Sequence, residues 1–395
     1  MSEPDSTSES VSGPIGAWII GARGSVATTT VTGAAAIGNG LAPPTGLVTG
    51  TSGFADAGLP ELDEIVFGGH DVVETPLAMR AARLVDGGVL PSGLPEALGD
   101  QLAESESNLR AGIGWHEART SPRAAVDRVA ADIEEFRSRH GLRHVVVIDV
   151  ASTEPPAEPH ESHASADALL AAVDRNLAIL PPSSLYALAA IESDCAFLEF
   201  TPSTGPCLPG LLELAERAGV PIGGSDGKTG ETMLKSALAP AFASRALRVR
   251  SWSGTNLLGG GDGEALAHPE RARSKLASKG RCLDEILGYP VEAPVRIEHV
   301  RDLGEWKTAW DNIAFEGFLG VRMKMQFTWE GCDSALAAPL LIDLVRLGAL
   351  AKERGAAGPQ GQLGFFFKDP IGSDVHDLNR QYQDLRAWVL ERVEA

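Results

Sequence analysis

Lysines and carboxylates set on glycine-bent turns are the residues of this chain best equipped for chemistry. The segment Gly223-Gly224-Ser225-Asp226-Gly227-Lys228-Thr229-Gly230 is followed by Leu258-Gly259-Gly260-Gly261-Asp262-Gly263 and by Arg273-Ser274-Lys275-Leu276-Ala277-Ser278-Lys279. The whole chain has a net charge of -19, so a local gathering of lysines points to an anionic ligand such as a phosphorylated small molecule. Arg271, Lys275 and Lys279 are four apart. On one helix face they would repel by roughly 0.2–0.5 kcal/mol per pair, which a bound phosphate more than offsets; a plain solvated basic face is the other reading. Lys228 and Lys235 stand two helical turns apart. Lys307 and Lys368 are single lysines among aromatics, in Glu305-Trp306-Lys307 and Phe366-Phe367-Lys368-Asp369-Pro370. Such a lysine either snorkels along the rings or, desolvated, exchanges protons near neutrality. Asp226, Asp262 and Asp333 flank glycine or serine at turns or element starts, and Asp333 also suits the first turn of a helix.

These side chains need a scaffold. Ala17-Trp18-Ile19-Ile20 ends at Gly21-Ala22-Arg23-Gly24-Ser25-Val26-Ala27, and a Thr- and Ala-rich periodic stretch runs on to Gly38. Strand, glycine turn and helix make the opening unit of a dinucleotide fold, although GxxGxxA is a weaker signal than GxGxxG. His144 to Val150 is a continuous apolar run expected of a strand buried on both faces. Ala164–Leu180 reads as a helix, and 183–191, 197–200 and 208–218 continue the alternation, so the sheet is mostly parallel. Val321, Met323, Met325, Phe327 and Trp329 then alternate with polar residues, the mark of a strand with one buried face in an antiparallel sheet. Residues 248–252 and 294–300 are its candidate partners. A helix over 335–351 and a strand over 363–367 follow, with 352–361 a plain loop. The expected fold is α/β: a Rossmann-type doubly wound parallel sheet over 15–225, an inserted α+β catalytic and oligomerisation domain over 226–334, and a return to the first domain over 335–395, after a disordered tail at 1–14.

With 395 residues, roughly 100–200 per domain gives two or three domains. Strong acidity argues against nucleic acid or an anionic membrane as partner. Four scattered cysteines without a CxxC pair suit a reduced cytoplasmic protein. The Ser- and Glu-rich start has no signal-peptide core, and no apolar run approaches the length of a membrane span. There is no HExxH, no Walker lysine and no Ser-His-Asp order. His70, after Gly68-Gly69, reads as structural. Asp71 suits the acid that takes ribose hydroxyls, although it lies beyond the usual ~20 residues from the first turn.

With Phe67-Gly68-Gly69-His70-Asp71, Ala151-Ser152-Thr153-Glu154-Pro155-Pro156, Phe200-Thr201-Pro202-Ser203-Thr204, Ser225 to Gly230, Asn256 to Gly263, Arg273-Ser274-Lys275, Cys332-Asp333-Ser334 and Leu378-Asn379-Arg380-Gln381, the chain resembles the myo-inositol-1-phosphate synthases from about residue 15 to 381. The resemblance implies a tetrameric NAD enzyme of the isomerase class acting on a hexose phosphate. In that family C5 of glucose 6-phosphate is oxidised, C6 is deprotonated, the resulting enolate attacks the C1 aldehyde, and the ring ketone is reduced again, with no net redox change. By the family pattern Lys275 is the base, Lys307 assists it, Lys368 polarises the aldehyde and Lys279 holds the phosphate. Asp226, Asp262 and Asp333 orient the lysines or hold a cation, either ammonium-like or a hard divalent ion. Gly21, Arg23, Gly24, Ser25, Val26, Asp71, Ala151, Ser152, Lys228, Thr229, Asn256 and Asp333 would contact NAD.

One departure stands out. Gly260 and Gly261 occupy positions where the family carries polar side chains, commonly asparagine. Drift compensated by water is one account. The other is altered substrate geometry, such as fructose 6-phosphate closed to a five-membered cyclitol phosphate. An ordinary NAD(P)-dependent dehydrogenase and a non-catalytic NAD sensor are the remaining alternatives.

Overall fold

The computed structural model describes residues 13–259 and 283–391. Strands β1 (Ile15–Ile20), β2 (Ile65–Asp71), β3 (Leu109–Ala111), β4 (His144–Asp149), β5 (Ala196–Glu199), β6 (Pro221–Gly223) and β11 (Gly358–Pro359) form a seven-stranded sheet. Its order is β11-β6-β5-β4-β1-β2-β3, with every pairing parallel. Val145 to Ile148 are wholly buried, as a strand covered on both faces must be. The order reverses between β1 and β4, and in open α/β sheets that switch point opens the ligand crevice.

The buried residues of the helix Ser25–Gly38 are small, which lets neighbouring elements approach it closely. Thr29, Thr30 and Thr32 return their hydroxyls to the carbonyls of Ser25, Val26 and Thr28, while the buried Thr28 hydroxyl meets no partner among the described residues. This helix packs beside the helix Asp333–Glu353, whose Leu341, Leu344, Val345 and Leu347 fill the same core. That helix is long and apolar enough to span a bilayer by composition, but 78% of its apolar window is buried inside the fold.

The second sheet holds β7 (Arg248–Leu258), β8 (Val295–His299), β9 (Trp306–Glu316) and β10 (Arg322–Cys332) in the order β10-β9-β7-β8. It is mixed: β7 and β8 run parallel, and the other pairs are antiparallel. The partner of β10 is β9, not the segments at 248–252 or 294–300. β9 has no apolar alternation to reveal it because its buried face carries Lys307 and Asp311 together with Ala309 and Ile313. The apolar face expected to be buried on β10 is also partly open: Met323 and Met325 are each 38% exposed. They share a face with their partners Phe315 and Ile313, but β10 is an edge strand and nothing in the described chain covers it.

Three further expectations change. The helix expected over Ala164–Leu180 is confined to Ala166–Asp174, and Asn176 then turns with φ 56°. Residues 363–366 belong to a 3-10 segment, Gly361–Phe366, rather than a strand, and only Phe367 makes a β-bridge, to Gly227. The expected loop at 352–361 contributes β11, a two-residue strand on β6. The expected N-terminal tail falls almost wholly outside the described residues.

Candidate active site

Beyond the carboxyl ends of β1 and β4, between the two sheets, lies a cleft of about 750 Å³. Its first wall is the glycine turn. Gly21 has φ 83°, and a Cβ there would stand 2.8 Å from the Ala151 Cα, so only glycine lets the turn after β1 press on the turn after β4. Gly24 begins the helix Ser25–Gly38 with no side chain capping its amides. Uncapped first-turn amides beside Gly24, Ser25 and Val26 are a ready receptor for a diphosphate. Asp71 ends β2; its Oδ2 accepts the Arg23 N–H at 2.7 Å and its Oδ1 the Val73 N–H at 2.8 Å. Each oxygen keeps a lone pair for a ribose hydroxyl. These features, with Ala151 and Ser152 at the end of β4, fit a dinucleotide. The Arg23 guanidinium pairs with Glu106 at 2.5 Å, and its backbone N–H and carbonyl are held by Asp71 and Arg80.

Opposite stand two lysine–carboxylate pairs. Lys307, on the buried face of β9, pairs with Oδ1 of Asp333, which also accepts the Thr229 hydroxyl at 3.0 Å. The Lys307 ammonium also lies 5.1 Å from the centre of the Trp329 ring. Asp333 is the first residue of its helix, so helix-terminal acid and lysine partner are one residue. Lys368 donates to Oδ1 of Asp226 at 2.8 Å. Asp226 has φ 60°, a left-handed conformation that aspartate tolerates, and its second oxygen is buried without a partner among the described residues. Hydrogen bonds from Ser225 N to Asp369 O, Lys368 N to Asp226 O and Lys228 N to Phe366 O tie the C-terminal return to this turn. Two ammonium groups held by carboxylates are suited to bracing negative charge that develops in the cleft.

Lys228 behaves otherwise. Although its neighbours Gly227 and Thr229 line the cleft, its ammonium turns into the core, donating to Gln381 and, at 3.3 Å, to the Gly364 carbonyl. It is a brace between the turn and the C-terminal helix, not a ligand-facing lysine. Lys235 does not share a helix face with it, because the helix begins only at Glu231. Asn256 and Thr229 line the cleft as expected. Lys275, Lys279 and Asp262, with Arg271, Gly260 and Gly261, lie outside the described residues. His70 is structural: its Nδ1 accepts the Trp18 indole N–H at 2.9 Å and its Nε2 meets Asp132 at 3.0 Å, and burial lowers its pKa. Among the described residues no group of three His, Cys, Asp or Glu side chains converges as a metal would require.

Several buried acids at the cleft or paired with its lining carry no motif. Asp149 and Glu199 are register partners on β4 and β5, both fully buried. Burial, then the charge of Glu154, raises Asp149 from 3.8 to about 7, against the Ala151 N–H that it accepts at 2.9 Å. Burial and then Asp149 push Glu199 well above the carboxylate range, against bonds from Thr201. An acid interrupting an otherwise apolar strand run was the available signal. Glu231 also lines the cleft and pairs with buried Lys235 at 2.6 Å.

A sequence model of the family described as myo-inositol-1-phosphate synthase matches residues 15–390. An inositol-3-phosphate synthase 1 of Bacteroides thetaiotaomicron is 33% identical over 396 residues, covering 93% of this chain and 91% of the relative. The inositol-3-phosphate synthase of Trypanosoma brucei brucei is 34% identical over 262 residues, but the match covers 64% of this chain and only 48% of that longer relative. Among solved structures, the inositol-3-phosphate synthase of Caenorhabditis elegans shares the fold with a TM-score of 0.83 at 24% identity, covering 95% of this chain and 85% of that one. A nucleotide-type switch point facing paired lysines and aspartates, matched nearly end to end, leaves one assignment: the chain belongs to the myo-inositol-1-phosphate synthase family.

Proposed function

We propose that this protein is an NAD-dependent intramolecular aldol cyclase that converts a hexose phosphate, foremost glucose 6-phosphate, to an inositol phosphate. The observation that carries the reading is the convergence of Lys307–Asp333 and Lys368–Asp226 on a cleft whose other wall is a dinucleotide turn. NAD, when bound, supplies a hydride acceptor that becomes a donor later in the cycle. The chain's own task is then to hold the sugar and stabilise the charge on its oxygens. Lys307, clamped by Asp333 and Trp329, presents an N–H to an alkoxide or enolate oxygen. Lys368, clamped by Asp226, does the same for an aldehyde oxygen under attack. In a closed site such fixed donors cost no reorganisation as the charge appears.

The reading also includes a cytoplasmic tetramer. Phe318 and Leu319, 86% and 85% exposed at the β9–β10 turn, together with the open face of β10, supply apolar surface for contact between copies. A cation, magnesium or ammonium, belongs to the same reading, and Asp226 with its unpartnered oxygen is the residue suited to it. Fructose 6-phosphate closed to a five-membered ring is the second reading, motivated by Gly260 and Gly261. Product NMR after incubation with NAD and each sugar phosphate tests both. Turnover of glucose 6-phosphate alone removes the second, turnover of fructose 6-phosphate alone removes the first, and accumulation of NADH with an open-chain product removes both.

A further inference from the structure

We propose that Glu231, anchored by Lys235, is a positioning residue that fixes the Asn256 carboxamide with its carbonyl toward the cleft, as acceptor for an N–H donor at the nicotinamide end of bound NAD. The inference rests on the NAD reading of the cleft and only secondarily on ring closure.

Glu231 opens the helix Glu231–Ser244, and Lys235 follows one turn later on the same face. The Lys235 ammonium donates to Oε1 of Glu231 at 2.6 Å, and the lysine side chain is 1% exposed. The other oxygen, Oε2, accepts the Asn256 side-chain amide at 2.6 Å. β7 is shaped for this contact. Gly254 lies two residues before Asn256, on the same face of the strand, and a Cβ there would come within 2.9 Å of Glu231 Oε1.

A carboxamide has a donor end and an acceptor end, and a neutral neighbour can hold either. An ionised carboxylate only accepts, so it fixes one orientation. With Nδ2 committed to Glu231, Oδ1 is the end left for a ligand, and among the described residues no donor meets it. Asp71 marks the ribose acid on the parallel sheet; Asn256 stands on the facing sheet, its neighbour Leu258 paired in register with Lys307. Lys235 completes the device. It neutralises Glu231, so that the anchor adds no net negative charge beside a site where negative charge must develop.

The test is a swap that conserves charge. N256D sets two buried carboxylates against each other, and NAD affinity, measured by calorimetry on the full-length protein, should fall about tenfold or more. Adding E231Q gives the new carboxylate a donor, leaves Lys235 a carbonyl to bond, and keeps an acceptor facing the cleft. The double variant should recover to within about threefold of the unaltered affinity, while E231Q alone remains weakened. Thermal unfolding of each variant is the control. Recovery of stability without recovery of NAD affinity would show a purely structural pair and overturn the proposal, as would an unaltered affinity in E231Q. A starting protein that binds NAD but closes no ring sinks the cyclase reading alone, because NAD affinity still scores the swap.

Discussion

Lys307 on β9 meets Asp333 at the start of the core helix, so one ion pair joins the second sheet to a helix packed against the parallel sheet. The pair sits where the two sheets enclose the cleft, with Thr229 bonded to the same carboxylate oxygen. Asp333→Asn keeps the shape and removes the charge. Turnover should fall at least about tenfold with NAD affinity little changed, because the lost interaction braces developing charge. Steady-state kinetics beside calorimetry checks this; equal loss in both would make Asp333 chiefly a nucleotide contact.

Lys228 and Lys368 lie on joined turns but face opposite ways. Lys228→Met strands the Gln381 and Gly364 acceptors and should cost about 1–3 kcal/mol of stability while leaving NAD affinity alone. Lys368→Met should abolish product formation while retaining bound nucleotide. Denaturant titration and binding assays on the two variants separate the roles, and reversed outcomes would exchange them.

Gly21→Ala forces a Cβ against the Ala151 backbone at a φ that alanine avoids. The two turns must separate, and NAD affinity should drop by more than about tenfold. Unchanged affinity would place the nucleotide elsewhere.

Asp149 gives a pH signature. Its folded-state pKa is raised from 3.8 to about 7, so the folded protein keeps a proton that the unfolded chain has already released. The stability this group contributes is fully present below 3.8 and is lost as the pH climbs through about 7. Glu199, raised in the same direction, adds to the slope. Asp149→Asn should therefore raise the unfolding temperature more at pH 8 than at pH 5; a pH-independent shift would mean that the acid is not held protonated.

Much of this architecture is legible in the sequence where one physical cue dominates. The apolar run at 144–150 gives β4, and Gly21–Ala27 gives the first turn, because a strand buried on both faces and a phosphate-type turn tolerate few alternatives. β9 stays hidden because Lys307 and Asp311 stand on its buried face, erasing the alternation. The open face of β10 reads as buried because alternation reports an apolar face, not what covers it. In the site, Lys307, Lys368, Asp226 and Asp333 stand out through glycine and aromatic neighbours. Lys228 misleads, since spacing does not reveal which way a turn points a side chain. The pairing of Glu231 with Lys235 and that of Asp149 with Glu199 across β4 and β5 emerge only once the strands and helix that bury them are assembled.

In the proposed cycle hydride leaves the sugar and returns to it while the paired lysines carry the oxygen charge. The direct measurement is turnover with NAD far below the sugar phosphate, followed by NMR of the product and by NADH absorbance. Many cyclic phosphate molecules should form per NAD with no net NADH. One NADH for each molecule of oxidised, open-chain product would contradict that cycle.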